Sequence, residues 1–287
     1  MESVECHAVI DSPALARRFG IRCAADSIFQ RLLDHILGVF DFADLHRKAN
    51  LSRDRISTRE HIVNFRSALE VSIKLVHGDT AAAGESGQPL VVISNHPYGI
   101  LDSLVALENL LTLRDDVLVL TNAMLSHVSL STQHLLWVDP SPRYKGSPEN
   151  VRSLLLAVRH VRRGGCLLFF PAGRCSHLQF YKGKWLIQDP PWHQHLARLL
   201  DLTSAPVLPM YFHGSNSTLF CVGGAVSASF RSLLLLRELL RRRGTSIQFA
   251  VGSKISSKAL LELPPAQRMR ILRNTTYSLG VVPNDTN

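Results

Sequence analysis

From residue 90 onward the chain alternates short apolar runs with stretches of helical periodicity, and this alternation leaves few architectures open. Residues 90–94 (LVVIS), 117–120 (VLVL), 166–170 (CLLFF), 206–210 (PVLPM, with a proline inside it) and 247–251 are β-branched or apolar runs of strand length. Between and after them, 103–113, 150–163, 193–200, 232–243 and 264–275 repeat apolar residues at helical spacing. Strands separated by helix-length connections pair in parallel. The pattern therefore predicts an α/β fold, a mostly parallel central sheet flanked by helices.

The first eighty residues read differently. Ile28, Phe29, Leu32, Leu33, Ile36, Leu37 and Phe40 recur at helical spacing, as do Ile62, Phe65, Leu69, Val71, Ile73 and Leu75. Residues 1–80 are thus expected to form a helical leader packed on an α/β domain of residues 81–287, with a loop around Gly84 and Gly87 between them. No run reaches the roughly 18–20 uninterrupted apolar residues of a spanning helix. The opening thirty residues, with Glu2, Glu5, Asp11 and Asp26, lack the pattern of a secretory signal, so a cytoplasmic location is expected. Five cysteines without close pairing argue against a disulfide framework or a zinc site, and no metal is expected.

Charge is distributed unevenly. Residues 1–150 hold 14 Lys/Arg against 18 Asp/Glu, whereas residues 151–287 hold 18 against 5, within a net charge of +9. The basic second half suits an anionic partner: a headgroup, a nucleic acid or a phosphate-bearing cofactor. Aromatics do not interleave with the arginine cluster and no nucleic-acid-binding signature is present, which disfavours nucleic acid.

The loop after the first strand of the α/β region carries the most chemistry: Ser94-Asn95-His96-Pro97-Tyr98-Gly99-Ile100-Leu101-Asp102. Ligand sites in open α/β sheets gather at the carboxyl ends of strands. A histidine there, followed by a carboxylate at the mouth of a helix, has the layout of a general base and its orienter. Asp102 taken alone equally suits the N-cap of a helix starting at Ser103. A second strand ends at Pro171-Ala172-Gly173-Arg174-Cys175-Ser176, where glycine lets backbone N–H groups approach an anion and arginine supplies a fork of donors. The two loops are expected to face one cleft.

The segments Asn95–Asp102, Phe169–Arg174 and Ala205–Met210 resemble, in kind, order and spacing, the glycerolipid or lysophospholipid acyltransferase superfamily, and within it the hemolysin-like and lyso-ornithine-lipid acyltransferase branch. The similarity covers roughly residues 90–219. It implies catalysis by His96 and Asp102, and substrate binding by Asn95, Gly99, Pro171, Gly173, Arg174 and Ser176. It further implies acyl-CoA or acyl carrier protein as donor rather than a bound cofactor, no metal, and peripheral attachment to the inner face of a membrane. Two departures matter. Five residues separate His96 from Asp102 where the superfamily at large has four, and Ala172 replaces the glutamate of its Phe-Pro-Glu-Gly-Thr-Arg motif. Both move the expected acceptor from glycerol phosphate toward another lyso-lipid, an amine or a hydroxyl.

The remaining expectations follow from this chemistry. Backbone N–H groups around Gly99 or Gly173 are the expected oxyanion donors. Arg174 is expected to hold an anionic substrate group, with Arg143, Lys145, Lys182 and Lys184 as further cations whose plainer role is a solvated face. No nucleophile elbow is present, so direct transfer is favoured; Ser94 and Cys175 are the residues to suspect otherwise. His193 and His195 lack a third ligand and read as structural, while the turn at His213 reads as cleft wall or plain turn. The leucine- and arginine-rich 232–243 fits either a membrane-binding helix or a core helix with a basic end. A thioester hydrolase using the same His/Asp pair, or a non-catalytic lipid-binding protein, would share most of these features.

Overall fold

The computed structural model describes residues 35, 38–49, 57–123, 133–139, 146–181, 183–226 and 228–281. The helix expected over 27–40 lies almost wholly outside them. In chain order the elements are α1 (Val39–Lys48), α2 (Thr58–Ala68), β1 (Ser72–His77), a 3₁₀ turn (Thr80–Ala83), β2 (Leu90–Ser94), α3 (Ile100–Leu110), β3 (Val117–Asn122), β4 (Leu135–Val138), α4 (Pro148–Arg162), β5 (Cys166–Phe169), β6 (His177–Tyr181), β7 (Lys184–Gln188), α5 (His195–Thr203), β8 (Val207–Phe212), α6 (Thr218–Val226), α7 (Ala228–Leu240), β9 (Ser246–Val251), α8 (Ser257–Leu261) and α9 (Pro265–Ser278).

Seven strands form one sheet in the order β1-β9-β8-β2-β5-β3-β4, and only the β8–β9 pair is antiparallel. The α/β architecture with a mostly parallel central sheet flanked by helices is as the sequence predicts. β2 lies at its middle between β5 and β8, and all five of its residues are buried, which is why LVVIS is apolar on both faces. Leu90 and Val92 enter a core layer with Phe42, Phe65, Leu101 and Phe249. Val91 and Ile93 enter a second layer with Leu167, Leu196, Val207 and Leu272 on the other face. Each large side chain so buried contributes about 1.5–3 kcal/mol.

One sequence expectation fails in the leader. Ile73 and Leu75 belong to strand β1, which pairs in parallel with β9 at the sheet edge. Residues 72–77 are therefore part of the sheet rather than of a helical segment ending at 80. Period-two and period-3.6 patterns share too many positions over six residues for sequence spacing to separate them. What ends the helix is Glu70, in the left-handed region at φ 56°. α2 itself begins on a capping box, Ser57 Oγ accepting from the Glu60 amide and the Glu60 carboxylate accepting from the Ser57 amide.

Two arginines, Arg66 half-buried and Arg114 buried, set the frame. Arg66 of α2 makes a bidentate pair with Glu108 of α3, at 2.8 and 2.9 Å. Arg114 donates to both oxygens of Asp116 and to the carbonyls of Ala83, Gln88 and Gly164, gathering the segments that lead into β2, β3 and β5.

Candidate active site

The chain leaves β2 for α3 and β3 on one side, then crosses from β5 to β8 on the other, so the carboxyl end of β2 lies at a topological switch point. The loop 95–99 emerges there. Nδ1 of His96 is buried and stands 3.0 Å from Oδ1 of Asp102, whose side chain is wholly inaccessible. The His96 side chain keeps 16% of its surface exposed, and with Nδ1 buried that exposure belongs to the rest of the ring. Phe170, the last residue before the second loop, packs its ring on the imidazole at 4.3 Å between centroids.

Asp102 does two things at once. Its Oδ2 accepts the amides of Tyr98 and Gly99, at 2.9 and 3.1 Å, while Oδ1 faces His96. The helix starts at Ile100 with Gly99 as N-cap, so Asp102 is the third residue of the first turn, reaching back rather than preceding a helix at Ser103. The capping reading and the catalytic reading thus describe opposite oxygens of one carboxylate. Gly99 has φ 87°, and a Cβ there would lie 2.7 Å from Leu235 Cδ2 and 2.8 Å from Cys175 Sγ, so the loop closes only around glycine.

Asp189 is the residue that sequence reasoning missed. It is buried in the segment between β7 and α5, and its Oδ1 accepts the His96 amide at 3.1 Å and the Ser176 hydroxyl at 2.6 Å. Oδ2 accepts the Trp192 indole N–H at 3.0 Å. Burial pushes its carboxyl above the usual carboxylate range, and the hydrogen bonds from Ser176, Trp192 and His96 pull it back. The Ser176 amide in turn donates to the His96 carbonyl at 2.8 Å. The loop that carries His96 is therefore held at its main chain by the second loop and by Asp189, and at its ring by Asp102.

Several expected substrate contacts have other employment. Asn95 is buried; its Nδ2 donates to the Phe212 carbonyl and its Oδ1 accepts the Phe212 amide, so the side chain extends the β2–β8 ladder. Ser176, expected at the substrate, is spent on Asp189 and His96. The amide of Gly173 donates to the Phe170 carbonyl and that of Gly99 to Asp102, so neither glycine supplies a free oxyanion donor. Pro171 is buried, its carbonyl accepting the His193 amide at 2.9 Å. Arg174 is exposed at the end of this turn, beside His193, whose pKa is lowered by burial, with His195 and Arg174 adding to it. Arg143, Lys145 and Lys182 lie outside the described residues.

Ser94 is fully buried and Cys175 sits in an apolar cluster with Phe220, Cys221 and Leu234, so neither presents a nucleophile at the surface. The turn at His213 borders the first loop: Tyr98 donates its hydroxyl to the His213 carbonyl at 2.5 Å, and Arg242 lies over the Tyr98 ring at 4.4 Å. The α7 leucines resolve toward the core, since Leu234, Leu236 and Leu239 are buried; the membrane-binding alternative for 232–243 fails for these positions because they pack inward. Among the described residues no helix is long and apolar enough to cross a membrane.

No protein-family model matches the chain, and no curated protein matches it. Among solved structures, the 1-acyl-sn-glycerophosphate (LPA) acyltransferase PlsC from Thermotoga maritima is similar at 10% sequence identity and a TM-score of 0.48, the match covering 97% of this chain and 93% of that one. At so low a score and identity, the residues of this chain itself have to carry its function.

Proposed function

We propose that the chain is an acyltransferase in which His96, oriented by Asp102, moves a fatty acyl group from a thioester donor to a lyso-lipid, amine or hydroxyl acceptor. The observation that carries this reading is the 3.0 Å approach of Nδ1 of His96 to a carboxylate with no solvent access, at the carboxyl end of the central strand. Ionised, Asp102 keeps the ring proton on Nδ1 and leaves Nε2 as the basic nitrogen.

In the proposed reaction Nε2 takes the proton of the acceptor O–H or N–H as the acceptor atom bonds to the thioester carbonyl carbon. The tetrahedral intermediate then breaks its C–S bond, the acyl group stays on the acceptor, and the proton on Nε2 passes to the departing thiolate. Arg174, exposed at the end of the second loop, is the cation proposed to hold a phosphate or other anionic group of donor or acceptor. Acyl-CoA and acyl carrier protein both present such a group. The inner face of a membrane is the proposed site of action.

The test incubates the purified chain with labelled acyl-CoA and a panel of lyso-lipids, amines and alcohols, beside His96→Ala. Acceptor-dependent product lost in the variant is the expected result. Equal product from both proteins would overturn the mechanism, and acceptor-independent release of fatty acid would identify a hydrolase.

A further inference from the structure

β6 and β7 form a two-stranded antiparallel hairpin apart from the main sheet. Its feet are the two residues that hold the His96 main chain: Ser176 immediately precedes β6, and Asp189 immediately follows β7. Away from those feet the hairpin exposes several large apolar side chains. Phe180 and Trp185, paired across the strands with rings 5.3 Å apart, are 64% and 63% exposed; in β7 Ile187 is exposed on their face and Leu186 on the opposite one. α6 packs on β6 and adds exposed Leu219 and Val222, one turn apart on the same helix. An uncovered apolar surface of this kind marks an interaction site.

Charge selects the occupant. Residues 177–188 contain Lys182 and Lys184 and no carboxylate, residues 218–226 contain no charge at all, and the half of the chain that holds both is the basic one. A bilayer with anionic headgroups uses both features: Trp and Phe seat at the headgroup boundary and lysines meet the phosphates.

We infer that the β6–β7 hairpin, with the outer face of α6, docks on an anionic lipid surface and conveys that docking to His96 through Ser176 and Asp189. The inference rests on the acyl-transfer reading for its second half only. Docking orders the hairpin, the hairpin fixes the spacing of its feet, and the feet hold both the amide and the carbonyl of His96.

Sedimentation with vesicles of phosphatidylcholine, with and without phosphatidylglycerol, tests the docking, using the full chain and the double variant Phe180→Ser/Trp185→Ser. Both side chains are exposed, so melting temperature should not fall. Partition onto the anionic vesicles is expected to drop about tenfold or more in the variant, and wild-type binding to weaken without phosphatidylglycerol. Unchanged partition, no wild-type binding, or a chain that dimerises through the patch instead would overturn the docking. Transfer to a vesicle-embedded acceptor is expected to fall with binding, and transfer to a monodisperse short-chain acceptor to stay as in wild type. Adding acceptor-free anionic vesicles is expected to raise turnover of the monodisperse acceptor in wild type and not in the variant; no such rise in wild type would overturn the coupling to His96. If neither protein transfers acyl groups yet the variant loses the vesicles, the docking stands and the acyl-transfer reading falls.

Discussion

Asp189 holds His96 by its main chain: Oδ1 accepts the His96 amide at 3.1 Å across 93 residues of sequence. Asp189→Asn keeps an acceptor but turns one oxygen into a donor facing Ser176 or Trp192. Turnover is expected to fall on the order of ten- to a hundredfold from displacement of the loop, with KM little changed. Steady-state kinetics separate the two, and a change confined to KM would refute a positioning role.

The same carboxyl has a pH signature. Burial, against the hydrogen bonds, raises its pKa in the folded chain, so as pH climbs the unfolded chain releases this proton first. Its contribution to stability is then full below the ordinary carboxylate range and is lost as pH rises through the raised value. Melting temperatures of wild type and Asp189→Asn compared across mildly acidic pH should diverge in that sense; a constant difference would contradict it.

Asp102 separates capping from catalysis. In Asp102→Asn the side-chain oxygen can still accept from Tyr98 and Gly99, while the amide N–H₂ faces Nδ1 and forces the ring proton to Nε2, removing the base. Activity is expected to fall about 10²–10⁴-fold with the fold retained. Asp102→Ala should add about 1 kcal/mol of lost stability from the missing cap, visible in urea titration.

Gly99→Ala places a methyl against Leu235 and Cys175 at a backbone angle that alanine adopts poorly. A cost of about 1–3 kcal/mol is expected, together with loss of activity, because the same turn carries Asp102. Thermal unfolding with parallel activity measurement checks both; a stable, active variant would mean the loop has another closed form.

Asn95 and Arg174 should behave oppositely, although the sequence motifs place both at substrate. Asn95→Ala strips the Phe212 amide and carbonyl of their partners and is expected to lower stability by about 1–3 kcal/mol. Arg174→Ala removes an exposed side chain and is expected to leave stability intact while raising KM for an anionic substrate.

The sheet, its helices and the His96/Asp102 pair were legible because each is local. LVVIS needs burial on both faces, and a histidine and a carboxylate six positions apart straddle one strand-to-helix turn. β1 escaped because its ladder partner lies some 170 residues downstream, where no local pattern records it. Asp189 escaped for the same reason: a lone carboxylate between Gln188 and Pro190 shows its purpose only when folding brings His96, Ser176 and Trp192 to it. The β6–β7 hairpin escaped because its strands are short and Trp185, Leu186 and Ile187 run consecutively without alternation, and the fate of Asn95 and Ser176 depends on partners that a motif cannot show.

Arg114 gives the site an origin of measurement. One guanidinium fixes the amino ends of β2, β3 and β5, so the three strands start from a shared datum. Their lengths then act as rulers: at about 3.3 Å per residue, an insertion in β2 would slide His96 past the Phe170 ring by most of a side chain's width. Tolerance to insertion should therefore be lowest inside β2 and β5, where the tally of residues is itself the specification.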